Sequence, residues 1–402
     1  MSSAGKPKLI RKINRGLLIE VLREKQLMTS TELAKKTNLS RRTINLIVTS
    51  LKEAGIVSEN GYGNSTNEGG KRPIIYKFNP DAFYAIGIEV RDYKISIGIC
   101  NLNGEILFKD SVLADWQNGY ESASLQIVKL VKDIINKSKI NFSKFLGIGI
   151  GLPGLVNFPD SSIRLLTRHR GWENIQFVKI LKEELNINVE IENENYVKAL
   201  GEKWFGIAKK IKNFVTIMTT NEGIGCGVVI NNELLRSHNS LLGEVGHIKI
   251  NNADKKFNDL LDFEHVLGLK YINDLVLLNR NLKSFSKSPL SQIFAVNSSI
   301  KMEDLFSNYN LGDEFANVII EKLSNYFTLL INIIVCNYDP ELIIIHGKYS
   351  MLDDKFFEKI TGFIKESVFP TLKKKIVIKK SLQTREMAIL GAAGMVLDGV
   401  SI

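Results

Sequence analysis

The chain has only three cysteines in 402 residues, Cys100, Cys226 and Cys336. They are far apart, so they supply neither a disulfide framework nor a metal-ligand spacing. Each lies in an apolar stretch, and all three are expected to be small buried core residues of a chain in a reducing cytoplasm. The amino-terminal residues 1–12 are polar and basic, which excludes a secretory signal there. No apolar run approaches the roughly 20 residues of a membrane helix. The longest candidates, near 329–336 and 342–345, are short enough to be buried core, so no membrane insertion is expected. Residues 81–402 also have almost no net charge.

The positive charge sits in the first fifth. Residues 1–80 hold 15 Lys and Arg against 6 Asp and Glu, while the whole chain carries a formal charge of +10. An excess packed into one short segment is an electrostatic footprint for a polyanion. A solvated basic tail is the alternative, but such a tail lacks apolar periodicity, and this segment has it. A first helix is expected over about 14–25, with Leu17, Leu18, Val21 and Leu22 on one face. A second follows Thr29, where Thr29 and Glu32 have capping-box spacing. After a turn at Asn38, Ser40 caps a third helix over 41–54, with Ile44, Ile47, Val48 and Leu51 inward and Gly55 as the stop.

This is a helix-turn-helix pattern, which sets its last helix in the major groove of double-stranded DNA. The candidate contacts are Ser40, Arg41, Arg42, Thr43 and Asn45, because arginine pairs with guanine, asparagine with adenine, and a helix start favours phosphate. Residues 56–58 and 74–78 then read as a two-stranded wing around a Gly/Asn/Ser-rich tip. Lys71 and Arg72 end that tip and are candidates for phosphate or minor-groove contact; a flexible basic linker is the alternative.

From residue 84 the texture changes. Strands are expected at 85–90 and 94–100, followed by a turn at Asn103–Gly104 and a third strand. The same sequence of strand, turn, strand, turn, strand recurs at 214–218, 225–230 and 233–235. Each copy is followed by helical sequence, which suggests two related α/β halves with a ligand cleft between them.

Six segments resemble the ROK family of bacterial sugar kinases and sugar-responsive repressors. They are the glycine-proline loop at 147–156, Glu192-Asn193-Glu194-Asn195 opening a helix, the glycine loop 223–227, Gly243-Glu244-Val245-Gly246-His247, and the closing segments 337–341 and 391–394. The resemblance implies an α/β fold: a winged helix-turn-helix over 1–80 and a two-lobed, actin-like, duplicated ribonuclease H-like body, with lobes over 81–200 and 201–402. It also implies a regulator that acts as a homodimer or a dimer of dimers, reading an operator with paired heads.

The chain departs from the kinase pattern in two places. Family kinases begin the body with an Asp-x-Gly-Gly-Thr turn whose glycines cradle nucleotide phosphate. Here residues 89–93 read Glu-Val-Arg-Asp-Tyr. The family's catalytic aspartate is replaced by Glu194, which is one methylene longer and so displaced from the position a base needs. The chain is therefore expected not to be an enzyme. The family's zinc cluster is also missing: a structural zinc needs about four N or S ligands, and no cysteine follows His247. No metal or other cofactor is expected, and packing by Phe257, Leu260 and Leu261 must stabilise the loop instead.

The sugar effector is expected at Gly154, Asn193, Glu194, Glu244, His247 and Asp262, because a sugar site must pair several hydroxyls at once. Other roles stay open. Asn193 could cap the following helix, and His247 could be a satisfied core histidine. For the whole chain the favoured reading is a sugar-responsive repressor of carbohydrate-utilisation genes. The alternatives are a sugar kinase with a DNA-binding head and a repressor controlled by a protein partner.

Overall fold

The structure is a computed structural model that describes residues 7–63, 72–91, 94–114, 118–157, 161–166, 172, 175–250, 260–367, 376–382 and 386–399. The chain divides into two compact units. One comprises Met1–Pro153, Ser161–Glu192 and Ala392–Ile402, and the other Gly154–Asp160 and Asn193–Gly391.

The first unit starts with α1 (Pro7–Lys25), β1 (Leu27–Thr29), α2 (Ser30–Thr37), α3 (Arg41–Glu53), β2 (Val57–Tyr62) and β3 (Ile74–Phe78). The local signals act as expected. Glu32 N–H donates to Thr29 Oγ1 at 3.3 Å, and Thr29 N–H donates to Glu32 Oε2 at 2.8 Å, which closes the capping box. Asn38 ends α2 in the left-handed region, and Ser40 Oγ accepts from Thr43 N–H to open α3. Leu18, Leu22, Leu33, Ile44, Val48 and Leu51 bury together. Two features go beyond the sequence reading. The first helix begins at Pro7, and β1 joins the wing as a third strand in the order β1-β3-β2.

The same unit continues with β4 (Tyr84–Arg91), β5 (Lys94–Asn101), β6 (Ile106–Leu113), α4 (Gly119–Ser138), β7 (Phe145–Leu152), β8 (Leu155–Val156), β9 (Ile163–Leu165), α5 (Phe177–Leu185) and β10 (Val189–Asn193), although β8 and the end of β10 fall in the second unit. Its sheet order is β10-β7-β4-β5-β6, with β4–β5–β6 an antiparallel meander and β7 parallel to β4. The hydrophobic core of the head does not stop at residue 80. It includes Ala82 and Leu102, with Phe83, Leu146 and Leu397 packed against it. The head core thus reaches residues that flank the first sheet, and head and sheet fall in a single unit.

The second unit holds α6 (Glu194–Trp204), β11 (Phe214–Thr219), β12 (Ile224–Ile230), β13 (Glu233–Leu234), β14 (Lys249–Ile250), β15 (Leu261–Asp262), α7 (Phe263–Val266), α8 (Leu269–Asn279), α9 (Lys283–Lys287), α10 (Pro289–Asn297), α11 (Met302–Asn310), α12 (Glu314–Tyr338), β16 (Leu342–Gly347), α13 (Asp354–Ser367), β17 (Val377–Lys380) and the first turns of α14 (Met387–Gly399). Its sheet order is β13-β12-β11-β16-β17. Here again an antiparallel meander is extended by parallel strands. Strand for strand this repeats the first sheet, which is the duplication expected from the sequence.

Among the described residues one helix, α12, is long and apolar enough to cross a membrane, and half of its apolar window is buried inside the protein. Its buried stripe, from Phe315 to Val335 at helical spacing, packs in the core of the second unit. One expectation about this helix needs correcting. Cys100 and Cys226 are buried, but Cys336 is exposed. The run 329–336 looks uniformly apolar in sequence, and the helical phase turns Cys336 off the stripe that holds Ile334 and Val335.

Candidate DNA-reading face and ligand site

The outer face of α3 is a shallow groove lined by Arg42, Asn45, Leu46, Thr49, Ser50 and Glu53. Arg41, Arg42 and Asn45 are exposed at the amino-terminal end of the helix, where base edges and phosphates are met. Ser40 and Thr43 are committed locally: their hydroxyls lie 2.9 Å apart, and Ser40 caps the helix. Sequence reasoning missed Leu46, which is 66 % exposed in the middle of this groove. An apolar side chain placed there fits the methyl group of thymine. Arg72 is exposed beside the start of β3, and Lys71 lies outside the described residues.

The expected ligand residues all belong to the second unit. Asn193 ends β10 and caps α6. Its Oδ1 accepts from Asn195 N–H at 2.8 Å, and its Nδ2 donates to the carbonyl of buried Gly154 at 2.8 Å. The side chain therefore ties the 154 loop to the helix start. Glu194 follows in the first turn and accepts from Lys198 Nζ at 3.0 Å.

Glu244 and His247 stand on the loop 243–247, which is pressed against β12. Gly243 makes this possible: it has φ +94°, Cys226 N–H donates to its carbonyl at 2.8 Å, and a Cβ on it would lie 2.1 Å from the Cys226 carbonyl oxygen. His247 is open to solvent, not a core histidine. Its Nε2 lies 3.8 Å from Glu244 Oε2, and its Nδ1 lies 3.8 Å from Glu264 Oε2. Burial raises the pKa of Glu244; His247 opposes the shift, and the charges of Glu264 and Glu194 add to it. Glu194, Glu244, His247 and Glu264 are thus one electrostatic group.

Asp262 borders this group: burial works to raise its pKa, but Lys249, the His265 N–H and the charge of His247 leave it lowered. Its Oδ1 caps α7 by accepting from His265 N–H at 3.0 Å, and its Oδ2 pairs with Lys249 at 3.0 Å. A further carboxylate near His247 is Glu264, two residues on, which sequence reasoning did not pick out. Of the packing residues expected for the 251–262 loop, Phe257 lies outside the described residues, and Leu260 and Leu261 are half-buried.

The sequence model of the ROK family matches residues 85–398, and that of a helix-turn-helix domain matches residues 15–64. The chain belongs to the ROK family. This ROK chain is 28 % identical to a xylose repressor of Caldicellulosiruptor bescii over 98 % of both chains. It is 25 % identical to a glucokinase of Halalkalibacterium halodurans over 72 % of this chain and 87 % of that one. In fold, it superposes with a TM-score of 0.79 and 21 % identity on a crystal structure of a ROK family transcriptional regulator, a homologue of the Escherichia coli Mlc protein, covering 97 % of each chain. The Caldicellulosiruptor bescii repressor matches the chain from head to body. The glucokinase matches a smaller share.

Proposed function

We propose that this chain is a sugar-responsive transcriptional repressor with a non-catalytic body. The helix-turn-helix head binds double-stranded operator DNA. Glu194, Glu244, His247 and Glu264 bind the hydroxyls of a sugar, with Gly154 and Asn193 shaping the wall beside them. The likeness to xylose repressors makes D-xylose the first effector to try.

One observation carries the non-catalytic part of this reading. A phosphate-binding glycine loop works by presenting free backbone N–H groups. In the 223–227 segment, which from Ile224 on is strand β12, Gly223 N–H donates to Thr220 Oγ1 at 2.7 Å, Ile224 N–H to Glu264 Oε1 at 2.9 Å and Cys226 N–H to the Gly243 carbonyl at 2.8 Å. The space over Gly225 is filled by the Asn195 amide, which a Cβ there would meet at 2.1 Å. The adjoining surface hollow is lined by Glu222 and Glu264 together with His265 and Lys270, a mixed set of charges that is not a dedicated phosphate cradle.

Among its described residues the first unit shows no better cradle. Buried Glu89 pairs with Arg91 Nη2 at 2.7 Å where family kinases place glycines, and the β4–β5 hairpin runs on to an Arg91–Lys94 pair. His247 is engaged by two carboxylates, and we infer that no structural zinc is needed. A homodimer or dimer of dimers in the cytoplasm, reading a two-fold operator, completes the proposal. The sugar acts only to the extent that its affinity differs between the DNA-binding and released states.

The test uses the full-length chain and a fluorescent duplex from upstream of its own gene. Operator affinity is measured with and without saturating D-xylose, D-glucose and N-acetylated hexoses, beside an ATP-turnover assay with the same sugars. A sugar-dependent change in operator affinity without ATP turnover is expected. The likeness to glucokinases favours one rival, a kinase with a DNA-binding head, and sugar-dependent ATP turnover would establish it. Operator affinity indifferent to every sugar would overturn the sensor.

A further inference from the structure

The wing of the head carries a pair of residues whose atoms can react with each other. The sequence has three Asn-Gly pairs, Asn60–Gly61, Asn103–Gly104 and Asn118–Gly119. In such a pair the glycine backbone nitrogen can reach the asparagine side-chain carbonyl, because glycine brings no Cβ to hinder the approach. Whether it does so depends on what else holds the two groups.

The first two pairs differ in that respect. At Asn103–Gly104 both groups are committed. Gly104 N–H donates to the Asn101 carbonyl at 3.0 Å, and Asn103 Nδ2 donates to Glu105 Oε1 at 3.3 Å. Both residues are half-buried. Asn60 and Gly61 are exposed, and among the described residues the Asn60 carboxamide has no hydrogen-bond partner. Strand β2 is also bulged here. Glu59 pairs with Tyr76 and Tyr62 with Ile74, so Asn60 and Gly61 together stand opposite Ile75 alone. Gly61 takes φ +85°, and a Cβ built on it would meet nothing within 4 Å. The pair is thus exposed, outside the regular ladder and uncrowded. The third pair, Asn118–Gly119, opens α4 and lies outside the helix-turn-helix head.

We propose that Asn60–Gly61 is a site of spontaneous deamidation that makes the wing more acidic and weakens operator binding. The inference rests on the reading of the head as the operator-binding part. The Gly61 backbone nitrogen attacks Asn60 Cγ. A bond forms between them, the Cγ–Nδ2 bond breaks, and the side-chain amide leaves as ammonia with the proton of the Gly61 N–H. Solvent water then opens the succinimide ring that remains. Attack at Cγ gives aspartate on a normal backbone. Attack at the main-chain carbonyl gives isoaspartate, with one extra carbon in the main chain. Either product adds one negative charge.

That charge appears near the recognition helix. Lys52 of α3 pairs with Glu59, the residue before Asn60, so this stretch of β2 is held to the end of α3. A second carboxylate beside Glu59 repels DNA phosphate, and isoaspartate also lengthens the bulge.

The experiment ages the full-length protein for several days in mildly alkaline, low-salt buffer. Peptide mass mapping follows each Asn-Gly pair, and enzymatic methylation scores isoaspartate. Operator affinity is measured on the same samples by anisotropy, with a duplex from upstream of the protein's own gene. Residue 60 is expected to convert well ahead of residue 103. Affinity is expected to fall by about two- to fivefold, the effect of one exposed charge near phosphate, and the gap should close as salt is raised. Asn60→Gln does not close the five-membered ring and is expected to keep the fresh affinity through the same treatment, which separates residue 60 from residue 118. Fresh Asn60→Asp is expected to show the loss due to charge at once. An Asn60 that stays intact, or that converts no faster than Asn103, would overturn the proposal. So would aged protein or Asn60→Asp that binds like the fresh natural protein. Failure of the fresh natural protein to bind the duplex would instead remove the DNA-binding reading, and the mass map would still decide the chemistry at residue 60.

Discussion

Glu264 Oε1 accepts the backbone N–H of Ile224 at 2.9 Å, while its other oxygen lies 3.8 Å from His247 Nδ1. One carboxylate thus closes the glycine loop with one oxygen and faces the ligand group with the other. The 223–227 segment and the proposed sugar site are therefore joined through a single side chain on a four-residue helix.

Replacing this carboxylate should affect both. Glu264→Ala leaves Ile224 N–H without its partner, and an unmade hydrogen bond of this kind costs about 1–3 kcal/mol. The melting temperature should fall by a few degrees, and calorimetric sugar affinity by about tenfold or more, while operator binding in the absence of sugar is retained. Glu264→Gln keeps the acceptor oxygen and should restore most of the stability but not the sugar affinity. A thermal melt and a sugar titration on each variant are the measurements.

On α3 the prediction separates base reading from phosphate attraction. Arg42 and Leu46 line the same groove, one charged and one apolar. Arg42→Ala should weaken operator binding by about 1–3 kcal/mol and reduce the salt dependence only if Arg42 contacts phosphate. Leu46→Ala should alter preference at a single base position and leave the salt slope unchanged. Neither substitution touches a buried core position, so the melting temperature should stay constant. Anisotropy titrations at several salt concentrations distinguish these outcomes.

Much of this organisation was legible from the sequence, because local rules determined it. Thr29–Glu32, Ser40 and Gly55 act through nearest neighbours, and the repeated strand pattern needs only alternation and turns. What escaped depended on helical phase or on distant contacts. Cys336 lay in a uniformly apolar run where only the phase of α12 decides exposure. Glu264 stands two residues after Asp262, and only the fold of the 243–247 loop against α7 brings its carboxylate near His247. Lys198 carried a readable sign, its four-residue spacing from Glu194, but nothing local reveals that α6 is buried on nearly every side. The extension of the head core beyond residue 80 rests on Ala82, Leu102 and Leu397, which are distant in sequence.

Glu244 presents a conflict between stability and binding. Its pKa is raised in the folded chain, chiefly by burial and further by Glu264 and Glu194, with His247 opposing. A raised carboxyl stabilises the fold while protonated and loses that contribution as pH rises through its folded value. At neutral pH the ionised group is therefore a net cost to the unliganded protein. Glu244→Gln should raise the melting temperature near pH 7 and narrow the gap to the natural protein as pH falls towards the ordinary glutamate range. It should also lower sugar affinity by about tenfold or more, because a charged acceptor is lost. Melting curves across pH, with and without sugar, test both parts.

A second buried pair gives the body an acid limit. His346 Nε2 lies 3.2 Å from Glu202 Oε1, both side chains are fully buried, and Ser381 Oγ and Ile207 N–H also donate to Glu202. Burial lowers the pKa of His346, the charge of Lys198 lowers it further, and Glu202 only partly opposes the shift. Burial works to raise that of Glu202, but its hydrogen bonds and the histidine outweigh this and leave it lowered. Both groups are depressed in the fold, so both contribute stability at neutral pH that is lost on acidification. The loss begins as pH falls below the ordinary histidine value, about 6.5, where the unfolded chain takes up a proton that buried His346 refuses. It deepens once pH drops below about 4.5, where unfolded glutamate protonates ahead of Glu202. His346→Gln removes the first component: its melting temperature should vary less than that of the natural protein between about pH 7 and about pH 5. Identical slopes for the two proteins over that interval would show that His346 titrates alike in the folded and unfolded chains.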